Sequence, residues 1–283
     1  MGRPGPVILT AAIVGAETTR EQTPYLPITP EEIGDEAARC AQAGATVIHL
    51  HVRDEAGHPS QDTERFRAAI AAIRSRCDVI VQTSTGGAVG MSVDERCGPL
   101  RVRDADKPEM ATLNIGTINF GDDIFVNRRL DTFGIAERIA QAGIVPEIEI
   151  YDLGHLDILK ELCEKGAVKR PLHVQFVLGV RGALQASQRN LELLVSRLSS
   201  DFPGSTWGVA GIGRHELPMA ELAARLGGNV RVGLEDNIFI EKGVLAKGSS
   251  ALCEKAAALC QSVGRRLATT AEARAILLAK PSP

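Results

Sequence analysis

The chain has 283 residues, 44% hydrophobic and 24% charged, the balance of a soluble globular protein with room for one large α/β domain or two small ones. A formal net charge of −3 argues against a nucleic-acid-binding surface and leaves no polybasic patch for a membrane. No apolar run approaches the roughly 20 residues of a membrane span, Met1-Gly-Arg-Pro-Gly-Pro6 lacks a signal-peptide pattern, and six scattered cysteines without a C-x-x-C pair read as reduced thiols of a cytoplasmic protein.

In chain order, the first strand is expected at 7–15. Thr29 then offers an N-cap, with Pro30 at the first position of a helix. A strand at 45–52 precedes a second helix opening at Asp62, and strands at 79–85 and 110–116 follow. A helix from Asp131 to Gln141 can be stopped by Gly143. Strands at 145–152 and 171–179 lead to a helix over Ser187–Leu198, a strand at 206–213, a helix over Leu217–Leu226 and a last strand at 229–236. Eight strand–helix repeats predict a (β/α)₈ TIM barrel, a single domain over 1–283 with short terminal extensions. A doubly wound open sheet is the alternative, weakened because no glycine-rich dinucleotide fingerprint follows the first strand.

The alternation within the strands carries the chemistry. Side chains at i and i+2 share a face. Thus Ile48, Leu50 and Val52 lie on one side of their strand, and His49 and His51 on the other. Ile148 and Ile150 alternate with Glu147, Glu149 and Tyr151; Leu172, Val174 and Phe176 with His173 and Gln175; Val230, Val232 and Leu234 with Arg231, Gly233 and Glu235. If the apolar sets pack on helices, the polar sets face the barrel axis. Burying them there costs several kcal/mol each unless they pair with one another, a metal or a ligand. The interior is expected to be a reaction chamber.

Two imidazoles on one strand face can hold a single divalent metal. Glu235 has the inward parity to complete a two-histidine, one-carboxylate site with a position left for substrate, the pattern of catalytic zinc. Asp236 is then free to act as a base, and Arg231 can pair with a carboxylate or hold an anionic substrate. Gln82-Thr-Ser-Thr-Gly-Gly87 offers hydroxyls and backbone amides to an oxyanion or phosphate. Gly208-Val-Ala-Gly-Ile-Gly213 resembles a phosphate loop only weakly, because it lacks the Gly-Lys-Ser/Thr ending; turn glycines explain it equally well. Glu17, closing the first strand, can reach the chamber's mouth.

These segments, with Thr10–Glu17, Pro108–Thr112, Gly116–Gly121 and Pro146–Glu149, make nearly the whole chain resemble the zinc-dependent β-keto acid cleavage enzymes. The segment 88–107 departs from the family pattern by a few extra residues. The resemblance implies a homotetrameric TIM barrel with zinc on His49, His51 and Glu235. It implies Asp236 as general base, supported by Arg231 and Glu149, with Ser84, Gly87 and Thr112 at the substrate and Glu17 at its amino end. It also implies acetyl-CoA as co-substrate, with acetoacetate and a shortened acyl-CoA as products.

Two other readings stand beside it. The H-x-H pair also suits a metal-dependent hydrolase of the amidohydrolase type, with His173 as a further ligand and Asp236 activating water. Such enzymes usually carry the pair on their first strand, whereas here it is on the second. A non-catalytic protein using a metal to capture a keto acid is the third reading, but it gives the Glu235–Asp236 pair no role for a spare base.

Overall fold

The computed structural model describes residues 5–279. The extensions expected at the termini reach residues 1–4 and 280–283, which lie outside the described residues. Eight parallel strands close into a barrel: β1 (Leu9–Ala12), β2 (Val47–Leu50), β3 (Ile80–Thr83), β4 (Met110–Asn114), β5 (Val145–Ile150), β6 (His173–Leu178), β7 (Thr206–Gly211) and β8 (Asn229–Val232). Each pairs with its neighbours in this order, and β1 pairs with β8. All eight lie inside the stretches expected from sequence, and ring closure excludes the open sheet.

The helices start where local chemistry caps them. At α1 (Pro30–Gln42), Thr29 accepts from the Glu32 backbone N–H, and Glu32 accepts from that of Thr29. Asp62 caps α2 (Thr63–Arg74), accepting from the Arg65 N–H at 2.9 Å. Helix α3 (Arg129–Gln141) begins two residues before the expected Asp131, whose charge instead favours the first turn. Then follow α4 (His155–Glu164), α5 (Gln188–Asp201) capped by Ser187, α6 (Glu216–Leu226), α7 (Ser249–Ser262) and α8 (Thr270–Leu277).

The third repeat departs from the expected pattern. Between β3 and β4 stand only the short helix Val93–Arg96 and 3₁₀ turns at Gly98–Arg101 and Asp104–Asp106. Gly90, Gly98 and Pro99 break this stretch before a longer helix can form. Among the described residues, no helix is long and apolar enough to cross a membrane.

Three apolar clusters occupy three zones. Outward strand residues such as Leu9, Ile48, Leu50, Ile148, Phe176 and Val230 share the main cluster with Ile33, Phe66, Ile70, Leu159 and Leu194 of the helices. A second cluster unites Ile8, Val47, Ile80 and Met110 with Ala273 and Leu277 of α8, sealing the amino-terminal end of the barrel. At the opposite end, Ile118, Tyr151, Val177, Val180 and Ala210 pack together. They form a wall with Phe120 and Phe125 of an antiparallel hairpin, Ile118–Phe120 with Asp123–Phe125.

Between seal and wall the interior is polar. Register aligns Ala12 with His49, His49 with Gln82, Thr112 with Glu147, Glu149 with Gln175, and Ala210 with Arg231. All the polar members are buried. The inward parity read from sequence therefore describes the upper barrel, while its floor is mostly aliphatic, with His173 beside Thr206 a polar exception.

Candidate active site

The segment Gly233–Asn237, just beyond β8, is held at almost every backbone group. Gly233 has φ +151°, and a Cβ there would lie 2.1 Å from the Ala12 carbonyl oxygen, so glycine is required. Its N–H donates to Glu216, and the Leu234 N–H to the Ser249 hydroxyl. Thr18 donates its hydroxyl to the Leu234 carbonyl, and the Glu235 N–H donates to Ala12. The N–H groups of Asp236 and Asn237 return to the Gly233 carbonyl, while the Asp236 carbonyl accepts from Gly213. A turn pinned this way delivers the adjacent Glu235 and Asp236 side chains to one chamber.

Glu235 meets the paired histidines. One donor atom from each of His49, His51 and Glu235 falls within 4.8 Å of the other two, the spacing of a three-ligand metal site. His49 Nε2 and His51 Nε2 lie 3.4 and 3.7 Å from Glu235 Oε1. His49 Nδ1 is 2.8 Å from Gln82 Oε1, so with that oxygen as acceptor Nδ1 carries the proton and Nε2 presents its lone pair. Glu235 Oε1 also accepts from Arg231 at 2.6 Å, whereas Oε2 is buried without a hydrogen-bond partner among the described residues. Such an orphaned oxygen beside two imidazoles fits a divalent cation, and the nitrogen–nitrogen–oxygen donor set suits zinc.

Arg231 binds three carboxylates. Its Nε and Nη2 donate to Asp236 Oδ2 and Oδ1, and Nη1 donates to Glu149 Oε1 at 3.2 Å. Burial opposes the guanidinium's charge, yet Asp236, Glu235 and Glu149 outweigh it and hold its pKa well above the ordinary value. Burial likewise opposes the Glu235 carboxylate, but Arg231 and the histidines hold it well below the usual range. At Asp236, burial together with Glu235 outweighs Arg231 and raises the pKa. Burial pushes His51 down to about 4, the neutral form that ligates metals. At His49, Glu235 outweighs burial and raises the pKa. Three carboxylates against one guanidinium leave a negative surplus that a proton or a divalent cation can neutralise.

Around this centre lies a chamber of about 540 Å³. Its polar side includes Ser84, Asn114, Glu149 and Tyr151, and its apolar side Phe120, Phe125, Val177, Val180 and Ile212. The model of the beta-keto acid cleavage enzymes matches residues 6–278. The chain belongs to this family. It is 48% identical to a 3-keto-5-aminohexanoate cleavage enzyme of Fusobacterium nucleatum, over 97% of this chain and 98% of that one. A protein of the same description from Acetoanaerobium sticklandii is 46% identical over 96% and 97%. A 3-oxoadipate:acetyl-CoA acetyltransferase of Cupriavidus necator is 37% identical over 96% and 94%. The barrel superposes on ObcA, solved as a ternary complex with a C4-CoA adduct and oxalate, with a TM-score of 0.81 at 22% identity; 90% of this chain and 68% of that one are covered.

In this member of the family, the structure gathers His49, His51, Glu149, Arg231, Glu235 and Asp236 at the chamber's centre, with Ser84 and Gly87 on its lining. Glu17 lies on the rim, as its reach to the mouth implied, and is exposed to water there. Thr112 sits one layer lower: its carbonyl accepts from the Thr85 hydroxyl, and Asn114, two residues on with the same parity, lines the chamber instead. His173 opens β6 at the amino-terminal end, 2.6 Å from the Thr206 hydroxyl and outside the ligand cluster, which removes it as a further metal ligand. The glycine run from Gly208 is no phosphate loop. Gly208–Gly211 belongs to β7, and Gly213 uses its N–H to hold Asp236.

Several contributors gave no sequence signal of their own. Buried Arg96 donates to the Thr85 and Val126 carbonyls and to Asn127, tying the Ser84–Gly87 loop to the hairpin's end. Gln82 was visible only as part of a loop motif, and Tyr151, whose hydroxyl donates to Glu149 Oε2 at 3.3 Å, only as an inward strand residue. Glu216, which burial pushes well above the ordinary carboxyl pKa, was hidden at a helix start.

Proposed function

We propose that the chain catalyses zinc-dependent cleavage of a β-keto acid with acetyl-CoA, giving acetoacetate and a shortened acyl-CoA. The observation that carries this reading is the convergence of His49, His51 and Glu235 beside a second carboxylate, Asp236, in a chain matched over nearly its full length by family members. His49, His51 and Glu235 would hold the zinc, whose Lewis acidity would polarise the ketone.

Asp236 removes the proton from the carbon between ketone and carboxylate, and Arg231 fixes the orientation of that base through two hydrogen bonds. The substrate carbanion attacks the acetyl-CoA carbonyl carbon, forming a carbon–carbon bond and releasing CoA thiolate. The thiolate adds to the original ketone carbon, and the bond from that carbon to the neighbouring carbon breaks. The electron pair stays on the acetoacetate fragment, to which Asp236 returns its proton. No protein nucleophile is needed, in keeping with six free cysteines that are all absent from the chamber lining. Ser84 Oγ accepts from the Gly86 N–H and keeps its own O–H to donate to substrate, Gly87 adds backbone to the same wall, and Thr112 supports it through Thr85.

The preferred substrate is 3-keto-5-aminohexanoate or a similarly cationic β-keto acid. The two relatives at 48% and 46% identity and the carboxylate of Glu17 on the rim support that choice. A cytoplasmic homotetramer completes the proposal. Free thiols suit a reducing compartment, and exposed Ile124, Val126 and Leu130 provide apolar surface for assembly. The decisive assay incubates purified protein with acetyl-CoA and a panel of β-keto acids and measures acyl-CoA and acetoacetate. Hydrolysis without CoA-ester formation, or binding without turnover, would replace this reading.

A further inference from the structure

We propose that Glu216 is a positioning residue that sets the relative placement of Glu235 and Asp236. The proposal rests on the functional reading above, in which those two carboxylates divide metal binding from proton transfer. Glu216 is fully buried at the start of α6 and is absent from the chamber lining, so it acts without touching substrate. Its Oε1 accepts from the Gly233 N–H at 2.7 Å, and its Oε2 accepts from the Asn237 side-chain amide at 3.2 Å. One carboxylate thereby grips both ends of the turn that carries the site.

The partners require two oxygens at this position. The Asn237 amide is oriented by Phe239: Nδ2 donates to the Phe239 carbonyl at 2.6 Å, while Oδ1 accepts from the Phe239 N–H at 3.1 Å. Turning the amide over would lose both bonds. Its remaining N–H therefore faces Glu216, as does the Gly233 N–H, and residue 216 must offer two acceptors. Glutamine has the same reach but only one oxygen, and its NH₂ would confront a donor. On the other side, β1 and Thr18 pin the turn through Ala12 and the Leu234 carbonyl. Releasing the Glu216 grip leaves those anchors and the Ser249 and Gly213 bonds but frees the Gly233 N–H and the Asn237 amide, loosening the turn at both ends and with it the placement of Asp236 relative to Glu235.

The test compares wild type, Glu216→Gln, Asn237→Ala and the double variant. Zinc affinity is read by chelator competition, amide exchange of 233–237 is read in the zinc-free protein, and kcat and KM are measured separately. In folded Glu216→Gln we expect zinc affinity to fall about 10- to 100-fold, exchange across 233–237 to accelerate, and kcat to fall with little change in KM. Asn237→Ala should show a smaller loss in the same direction, and the double variant should lose little more than Glu216→Gln. If Glu216→Gln does not fold, Asn237→Ala decides alone, because it removes the Oε2 partner and leaves the Gly233 bond. Zinc affinity and kcat within twofold of wild type in the deciding variant, or additive losses in the double variant, would overturn the positioning role. A wild type that binds no zinc overturns the functional reading and this inference together; a zinc-binding wild type equalled by Glu216→Gln overturns this inference only.

Discussion

Arg231 and Asp236 meet in a two-point contact, Nε to Oδ2 and Nη2 to Oδ1, each 2.8 Å long. The same guanidinium reaches Glu235 and Glu149, so one buried cation touches the carboxylate beside the paired histidines, its neighbour Asp236 and a third acid on β5. This sharing keeps like charges together in a confined space, because removing the cation would leave buried Glu149 and Asp236 and half-buried Glu235 without their shared counter-charge.

Asp236→Asn should keep the fold and the metal while losing proton abstraction. The amide cannot serve as a base, but Arg231 retains Glu149 and Glu235 as partners. We expect kcat to drop by about 10²- to 10⁴-fold, with zinc stoichiometry unchanged. Exchange of the substrate's acidic proton in deuterated water reads the step directly. Wild-type exchange in this variant would pass the role to Glu149.

Replacing His49 or His51 with alanine should abolish tight zinc binding, since each removes one of only two nitrogen donors in the cluster. Glu235→Gln should weaken binding as well, by removing the cluster's only carboxylate. Metal analysis after dialysis checks all three. Full zinc occupancy in both histidine variants would place the metal elsewhere.

The barrel was legible because its signals are periodic and local. Outward Ile48 and Leu50 against inward His49 and His51 identify a strand and its two faces together, and Thr29 followed by Pro30 marks a helix start in two residues. The convergence of His49, His51 and Glu235 was legible for the same reason, since parity places Glu235 on the histidines' side. Residues acting through long-range contacts were not. Glu216 reaches Gly233 across 17 positions and Arg96 reaches Asn127 across 31, and neither distance has a sequence period. Thr112 shows the limit of parity: it faces inward like Asn114, but depth along the strand decides which one meets the chamber.

Glu17 should tune substrate choice modestly. Its carboxylate lies on the chamber's rim with water access, which weakens any charge pair relative to a buried one. Glu17→Gln should lower kcat/KM for a cationic β-keto acid by roughly fivefold, the equivalent of about 1 kcal/mol, and leave a neutral substrate nearly unaffected. Added salt should shrink the difference. Equal losses on both substrates would remove Glu17 from specificity.

The last prediction concerns acid stability, far from the chamber. His173 is buried at the amino-terminal end of the barrel, and burial pushes its pKa from 6.5 down to about 4, against a smaller opposing pull from the Leu277 backbone. In the folded protein the ring therefore stays neutral across a range in which the unfolded chain takes up a proton. Its contribution is fully present above about pH 6.5 and is lost as pH falls toward about 4, amounting to about 3 kcal/mol. His173→Gln keeps a polar partner for Thr206 but does not titrate, so its unfolding free energy should fall less steeply between those pH values. Denaturant unfolding of both proteins across that range isolates this histidine, because every other titrating group is common to the pair. Parallel pH slopes would show that His173 is solvated or already charged in the folded barrel. Turnover near neutral pH should be unchanged in the variant, since the aliphatic seal and His173 lie at the end of the barrel opposite His49, His51 and Glu235.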